Sequence, residues 1–435
     1  MLRLLLFFQI FYTVYELHFQ FPTGIPGINL VNLVFLATLT AILLSKPDTV
    51  RTKPILRGAL LLFFAVLVMA FFIAQSTKPP ADSDDITYLK TAIFYPLLYF
   101  MYLRCRQDLK TTRWMIIFVL VVASVAGVQA IRQGLDYGFG AFVETHRASG
   151  PFGTTFAMAN RAGVYYAMFL PMFLGLALMM RTQTRWRVAA LMGIGILALA
   201  ILFTYSRQSY FIALLAAALL FARRHVVLAA LMAIVFIGMI DYLPESVTER
   251  VAETRTENRV GADQYDVSTA SRWKIWNGAM GMLEDNPQGV GLNRFQTRIG
   301  AYTPQYANYD AHNFYVLTVC ECGVLGLIAL LWLIFRMFSL ASMLRRIAVD
   351  DESKALAIGF TVAVLCMAFG NLYGSPFLEG SVMGDFWILC GLLERYGRLK
   401  QMQSGDTAPA VRTQSLIPQV RITAQPLKDR RPVQI

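Results

Sequence analysis

Apolar residues concentrate in twelve runs, at about 3–19, 28–44, 56–74, 86–103, 113–131, 157–180, 187–204, 209–222, 226–243, 312–335, 355–373 and 377–396. A membrane-spanning helix needs about 20 mostly apolar residues. The pattern therefore predicts an all-α polytopic membrane protein with about twelve transmembrane helices and no strand. The first run has the look of a signal peptide, but no small-residue cleavage site follows it, so it reads as an uncleaved helix. The eighth run, 209–222, is short for a span.

Two stretches break the rhythm and divide the chain into 1–243 (helices one to nine), 244–311, 312–396 (helices ten to twelve) and 397–435. Residues 244–311 form a long polar loop with seven basic and nine acidic side chains. Loops beyond about 12–15 residues are usually functional or disordered. This one carries internal order. Trp273, Trp276, Met280 and Leu283 recur at helical spacing after Ser271, a plausible N-cap, and the stretch stops at Asn286-Pro287. A short helix on the membrane surface would set its two Trp in the interfacial belt. The charged stretch Glu245 to Arg259 reads as a solvated helix. Residues 397–435, with four prolines, seven basic residues and two acids, read as a disordered cytoplasmic tail that touches anionic lipid.

Composition agrees with the pattern. Of 435 residues 56% are hydrophobic and 15% charged, against about a quarter charged in soluble domains. That excludes a secreted enzyme, a soluble dinucleotide-binding protein and a nucleic-acid binder. The net charge of +12 is informative by location. With the N-terminus inside, the short inner loops hold Lys46, Arg51, Lys53, Arg57, Arg104, Arg106, Lys110, Arg113, Arg181, Arg185, Arg187, Arg223, Arg224, Arg336, Arg345, Arg346 and Lys354. The short outer loops hold only Lys78, Arg132, Arg147 and Arg207. Cytoplasmic loops carry the excess of Lys and Arg, so both termini are expected inside and 244–311 outside. The five cysteines lie in or beside apolar runs, and no disulfide framework is expected.

No P-loop or dinucleotide-binding motif is present, and the inner loops are too short for a nucleotide-binding domain. An enzymatic site would therefore face outward, where nucleotide-activated donors are not supplied, and an activated donor would arrive attached to lipid. Among the four histidines, His18 and His225 read as interfacial and His146, beside Glu144 and Arg147, as solvated surface. His312 stands where the outer loop enters helix ten, and an imidazole at that boundary can accept a proton near neutral pH. Arg207, Arg161, Arg272 and Arg294 share its face. Arginine at membrane depth is generally partnered or functional, and its fork suits phosphate oxygens. Several together could hold a diphosphate without a metal; each alone reads equally as a headgroup anchor or an ion pair. Two further readings stay open. Asp82-Ser83-Asp84-Asp85 is either a solvated acidic loop or a divalent-cation site. Glu321, nine residues past His312 and about 180° around the helix, and Asp385 in helix twelve are either structural or part of the site.

The run Asp310-Ala311-His312-Asn313-Phe314, followed by Glu321-Cys322-Gly323-Val324-Leu325-Gly326, resembles the His-Asn…Glu-x-Gly signature of the O-antigen ligase/polymerase superfamily. Tyr205-Ser206-Arg207 is similar to its Ser-Arg helix-end motif. Ser271-Arg272-Trp273 with Trp276, Asn286-Pro287 and Gly289-Val290-Gly291 resembles a stretch of its large periplasmic loop. The resemblance implies a GT-C-like, metal-independent, inverting glycosyltransferase of the bacterial inner membrane, with no cofactor. It implies transfer of a glycan from undecaprenyl diphosphate to an acceptor hydroxyl, on lipid A–core for a ligase or on a growing glycan for a polymerase. It further implies that His312 is the general base and that Arg207 and Arg272 hold the diphosphate, with Arg161, Arg294, Asn313 and Glu321 in support. A lipid-linked oligosaccharide flippase is the alternative from another class. It would place its polar groups at the midplane of paired repeats and would tolerate His312→Ala.

Overall fold

The computed structural model describes residues 1–19, 30–76, 83–138, 143, 145–153, 158–222 and 267–407 of the chain. Among the described residues the structure is helical, with no strand. Eleven of the twelve apolar runs correspond to helices: α1 (Leu2–Tyr15), α2 (Leu30–Leu44), α3 (Arg57–Gln75), α4 (Ser83–Leu103), α5 (Leu109–Tyr137), α6 (Ala159–Met179), α7 (Thr184–Phe203), α8 (Arg207–Ala222), α11 (Phe314–Ile347), α12 (Asp351–Gly370) and α13 (Gly380–Thr407). Between α8 and α11 lie α9 (Val267–Asp285) and the short α10 (Phe295–Ile299). Six helices, α3, α5, α6, α7, α11 and α12, are long and apolar enough to cross a membrane. The run 226–243, the charged stretch from Glu245 to Arg259 and residues 408–435 fall outside the described residues.

Several boundaries differ from the sequence pattern, and the reasons are physical. Helix α13 continues to Thr407, so residues 397–407 are helical rather than the start of a disordered tail. The apolar run ends near 396, but Lys400 reaches Asp350 at 2.5 Å and Arg398 reaches Glu394 at 3.4 Å, which support the extra turns. Helix α9 begins at Val267, which puts Ser271 inside the helix and not at its N-cap. It stops at Asp285, just before Asn286-Pro287, as a proline two residues on requires. Its buried face is Ile275, Ala279 and Met282, leaving Trp273 and Met280 exposed.

Two helices form the centre. Helix α6 is buried without a break from Ala162 to Gly175, and α13 from Gly380 to Gly397. A helix apolar all round belongs in an interior. Glycine allows α6 and α12 to touch backbone to backbone, since a Cβ on Gly175 would lie 2.6 Å from the Ala355 carbonyl. Small residues at membrane-helix interfaces serve this close approach. At one end of the bundle, buried Arg395 of α13 pairs with Asp48 at 3.0 Å and Glu394 accepts from the Ile55 amide at 3.1 Å. On the periphery Phe72, Val125, Met192, Leu331 and Phe335 are exposed, a surface fit for lipid.

Candidate active site

Five segments meet at the opposite end of the bundle. Helix α11 starts at Phe314, and Asn313 caps it, its side-chain oxygen accepting from the amides of Tyr315 (2.9 Å) and Val316 (3.2 Å). Asn313 is thereby a helix cap that fixes the approach of the preceding residue. His312 lies just outside the helix in the left-handed region, with φ +48°. A non-glycine residue there costs roughly 1–3 kcal/mol and persists only when its surroundings enforce it. They do so here. The Phe314 amide donates to the carbonyl of Asn371 at 2.9 Å, and Trp276 donates to the carbonyl of Ala311 at 2.8 Å.

Arg161 opens α6 and Arg207 opens α8. Their helix ends can adjoin because Gly163 has no side chain: a Cβ there would stand 2.3 Å from Ser209 Oγ. Gln208 then donates to the carbonyl of Gly370 at 2.7 Å, joining α8 to the end of α12. Gly370 in turn sits against Val164, where a Cβ would come within 2.5 Å. Arg272, on α9, places its guanidinium 5.5 Å from the ring centre of Tyr373, a cation–π contact. Arg161 is bound at 2.6 Å by Glu379.

These positions define the electrostatics of His312. Its Nδ1 is 3.7 Å from Asp310 Oδ2, and its side chain remains 43% exposed. Burial draws its pKa below the ordinary 6.5, Asp310 opposes that shift, and the positive charges of Arg272 and Arg161 reinforce it. An unprotonated imidazole between guanidinium groups is suited to take a proton from a hydroxyl.

The structure thus brings together His312, Asn313, Arg272 and Arg161, with Arg207 heading the adjoining helix. It takes Arg294 and Glu321 elsewhere. Arg294 is buried and fork-bound to Asp85, its Nη1 3.0 Å from Oδ1 and its Nη2 on Oδ2. Its guanidinium holds α4 against the loop after α9. The same pair answers the acidic-loop question in part. Asp85 also accepts from Asn293 at 2.8 Å, Asp84 is exposed, and Asp82 lies outside the described residues. Glu321 accepts from the Phe295 amide at 3.1 Å, and its carbonyl accepts from Gly291 at 3.1 Å. It is a buried anchor for the loop 286–295. The loop approaches so closely that Gly323, at φ +69°, breaks α11 beside Gln288. Asp385 is fully buried in α13, near Tyr165.

Four contributors escape a reading of the sequence. Tyr373 and Glu379 fall inside the apolar runs 355–373 and 377–396, where nothing singles them out. Asn371, 1% exposed, joins α11 to the turn after α12 by accepting from Phe377 at 3.0 Å as well as from Phe314. Arg147 is not solvated surface: it is buried, donates to the Thr204 carbonyl at 2.9 Å and bonds Asn160, bracing the turn before Arg207. The usable signal is topological, since these turns lie at the same end of the bundle as His312.

Among the described residues the arrangement is helical, with helices long and apolar enough to cross a membrane and a basic, histidine-bearing site at one end. Residues 172–331 match the family model described as O-Antigen ligase, a stretch that contains Arg207, Arg272, Arg294, His312, Asn313 and Glu321. Over that stretch the chain is similar to the O-antigen ligase family. No curated protein matches it.

Proposed function

We propose that the protein is a metal-independent inverting glycosyltransferase that moves a glycan from undecaprenyl diphosphate to an acceptor hydroxyl at the periplasmic face, with lipid A–core as acceptor: an O-antigen ligase. The observation that carries this reading is the convergence of His312 with Arg272 and Arg161. His312 takes the proton of the acceptor hydroxyl as its oxygen attacks the anomeric carbon from the face opposite the leaving group. The bond to the diphosphate oxygen breaks, and the lipid diphosphate departs with the electron pair. Arg272, Arg207 and Arg161 hold the diphosphate and stabilise the growing charge, a role in which fixed cations contribute strongly. The same guanidinium groups supply the charge that a metal would otherwise bring, so chelation with EDTA leaves transfer unchanged. In this reading the protein lies in the bacterial inner membrane with both termini cytoplasmic, which the distribution of Lys and Arg supports.

The test is the glycolipid profile of the native host with the gene deleted, then complemented with wild type or His312→Ala. Unmodified lipid A–core, with polymerised glycan accumulating on undecaprenyl diphosphate, supports the ligase. Core bearing a single repeat makes the protein the polymerase instead. Restoration of the wild-type ladder by His312→Ala overturns the assignment of the base.

A further inference from the structure

Two arginine–carboxylate pairs stand near the site, and they differ in kind. The Arg294–Asp85 pair is sealed, with side chains 5% and 1% exposed. The Arg161–Glu379 pair is open, with side chains 34% and 33% exposed. A sealed pair cannot be broken without leaving a charge stranded in the interior. An open pair contributes little, so a stronger anion can displace its carboxylate.

Apart from Glu379, the bond found at the Arg161 guanidinium is a long contact to Met158 Sδ at 3.5 Å. Glu379 by contrast is fixed through its backbone. Its amide donates to Pro376 and its carbonyl accepts from Met383, so the carboxylate stays at the site whether or not Arg161 remains on it. Among the described residues the carboxylates of Asp310, beside His312, and of Glu16, itself near Lys90, also act on Glu379, with the hydroxyls of Tyr88 and Tyr95 nearby. Arg161 therefore pairs directly with a carboxylate that also stands near other carboxylates.

From this contrast we propose that Glu379 is an exchangeable counter-ion. It holds the Arg161 guanidinium in the empty site, and the diphosphate of a lipid-linked donor displaces it. The proposal rests on the reading of Arg161 as a diphosphate ligand. The carboxylate keeps the guanidinium extended toward the site. After departure of the glycan it competes with the product diphosphate for Arg161 and favours release.

The experiment is titration of the purified full-length protein in nanodiscs with inorganic pyrophosphate, for wild type, Glu379→Gln, Arg161→Gln and the double variant. Glu379→Gln removes the competitor, so pyrophosphate binds about two- to fivefold more tightly, the range an exposed ion pair allows. Arg161→Gln weakens binding, and in its background Glu379→Gln has no further effect. Unchanged or weaker binding in Glu379→Gln, with Arg161→Gln still weakened, overturns the counter-ion role alone. Wild-type binding by Arg161→Gln overturns the underlying reading as well. Should Glu379→Gln fail to fold, Glu379→Asp retains the charge but shortens the reach by one methylene. Tighter pyrophosphate binding is again expected, and wild-type or weaker binding contradicts the proposal.

Discussion

Trp276 donates its indole N–H to the carbonyl of Ala311 across 2.8 Å, fastening the helix that carries Arg272 to the residue immediately before His312. The cation and the base thus come from elements joined by this hydrogen bond, by the Cys320 thiol donating to the Ala279 carbonyl at 3.4 Å, and by the aromatic contact between Trp276 and Tyr373, 6.0 Å apart. Trp276→Phe keeps a ring but removes the donor, and a buried hydrogen bond contributes about 0.5–1.5 kcal/mol. Transfer is expected to fall several-fold while the unfolding temperature changes little. An assay at saturating donor and acceptor, paired with a thermal melt, checks this. Wild-type turnover in Trp276→Phe contradicts the fastening role.

The pH dependence follows from the environment of His312. Burial, with Arg272 and Arg161, lowers its pKa below 6.5 and Asp310 pulls the other way. The base acts unprotonated, so transfer is at its plateau near neutral pH and falls only as pH drops through that lowered value. Removing the Asp310 charge with Asp310→Asn moves the acidic limb further down, and Arg161→Gln moves it up. A profile of rate against pH tests both signs. An upward shift in Asp310→Asn is incompatible with this account.

Arg294 and Arg272 both lie in the segment 244–311, yet substitution should act on different properties. Breaking the buried Arg294–Asp85 pair strands a charge and costs about 3–5 kcal/mol, so Arg294→Met or Asp85→Asn lowers the unfolding temperature and the yield. The double replacement Arg294→Met/Asp85→Leu recovers much of that stability. Arg272→Gln leaves stability close to wild type and abolishes transfer. Normal stability in Arg294→Met would show that the pair is dispensable.

Glu321 discriminates between an anchor and a catalytic acid. Glu321→Gln preserves an oxygen able to accept from the Phe295 amide and should retain most activity. Glu321→Ala leaves that buried amide unsatisfied, at about 1–3 kcal/mol. Loss of transfer in a stably folded Glu321→Gln protein would return Glu321 to the chemistry.

The helices were legible because a membrane span writes itself as a continuous apolar run, and the turn bearing His312 because a polar cluster at a span's edge stands out. Long-range partners were not. Arg294 looks like Arg272 in sequence, and only the fold brings Asp85, 209 residues distant, against it. Tyr373 and Glu379 sit at the ends of apolar runs, where composition hides polar groups that tertiary packing turns toward the site. Asn371 acts through a buried turn that no periodicity marks.

The most direct test of the central claim is reconstitution of the purified protein with an undecaprenyl-diphosphate-linked glycan and lipid A–core, following both glycosylated core and released undecaprenyl diphosphate. The account predicts equal amounts of the two products from wild type, and neither product from His312→Ala, although that variant still binds the donor. Product formation by His312→Ala at the wild-type rate, or glycosylated core without release of the lipid diphosphate, would contradict it.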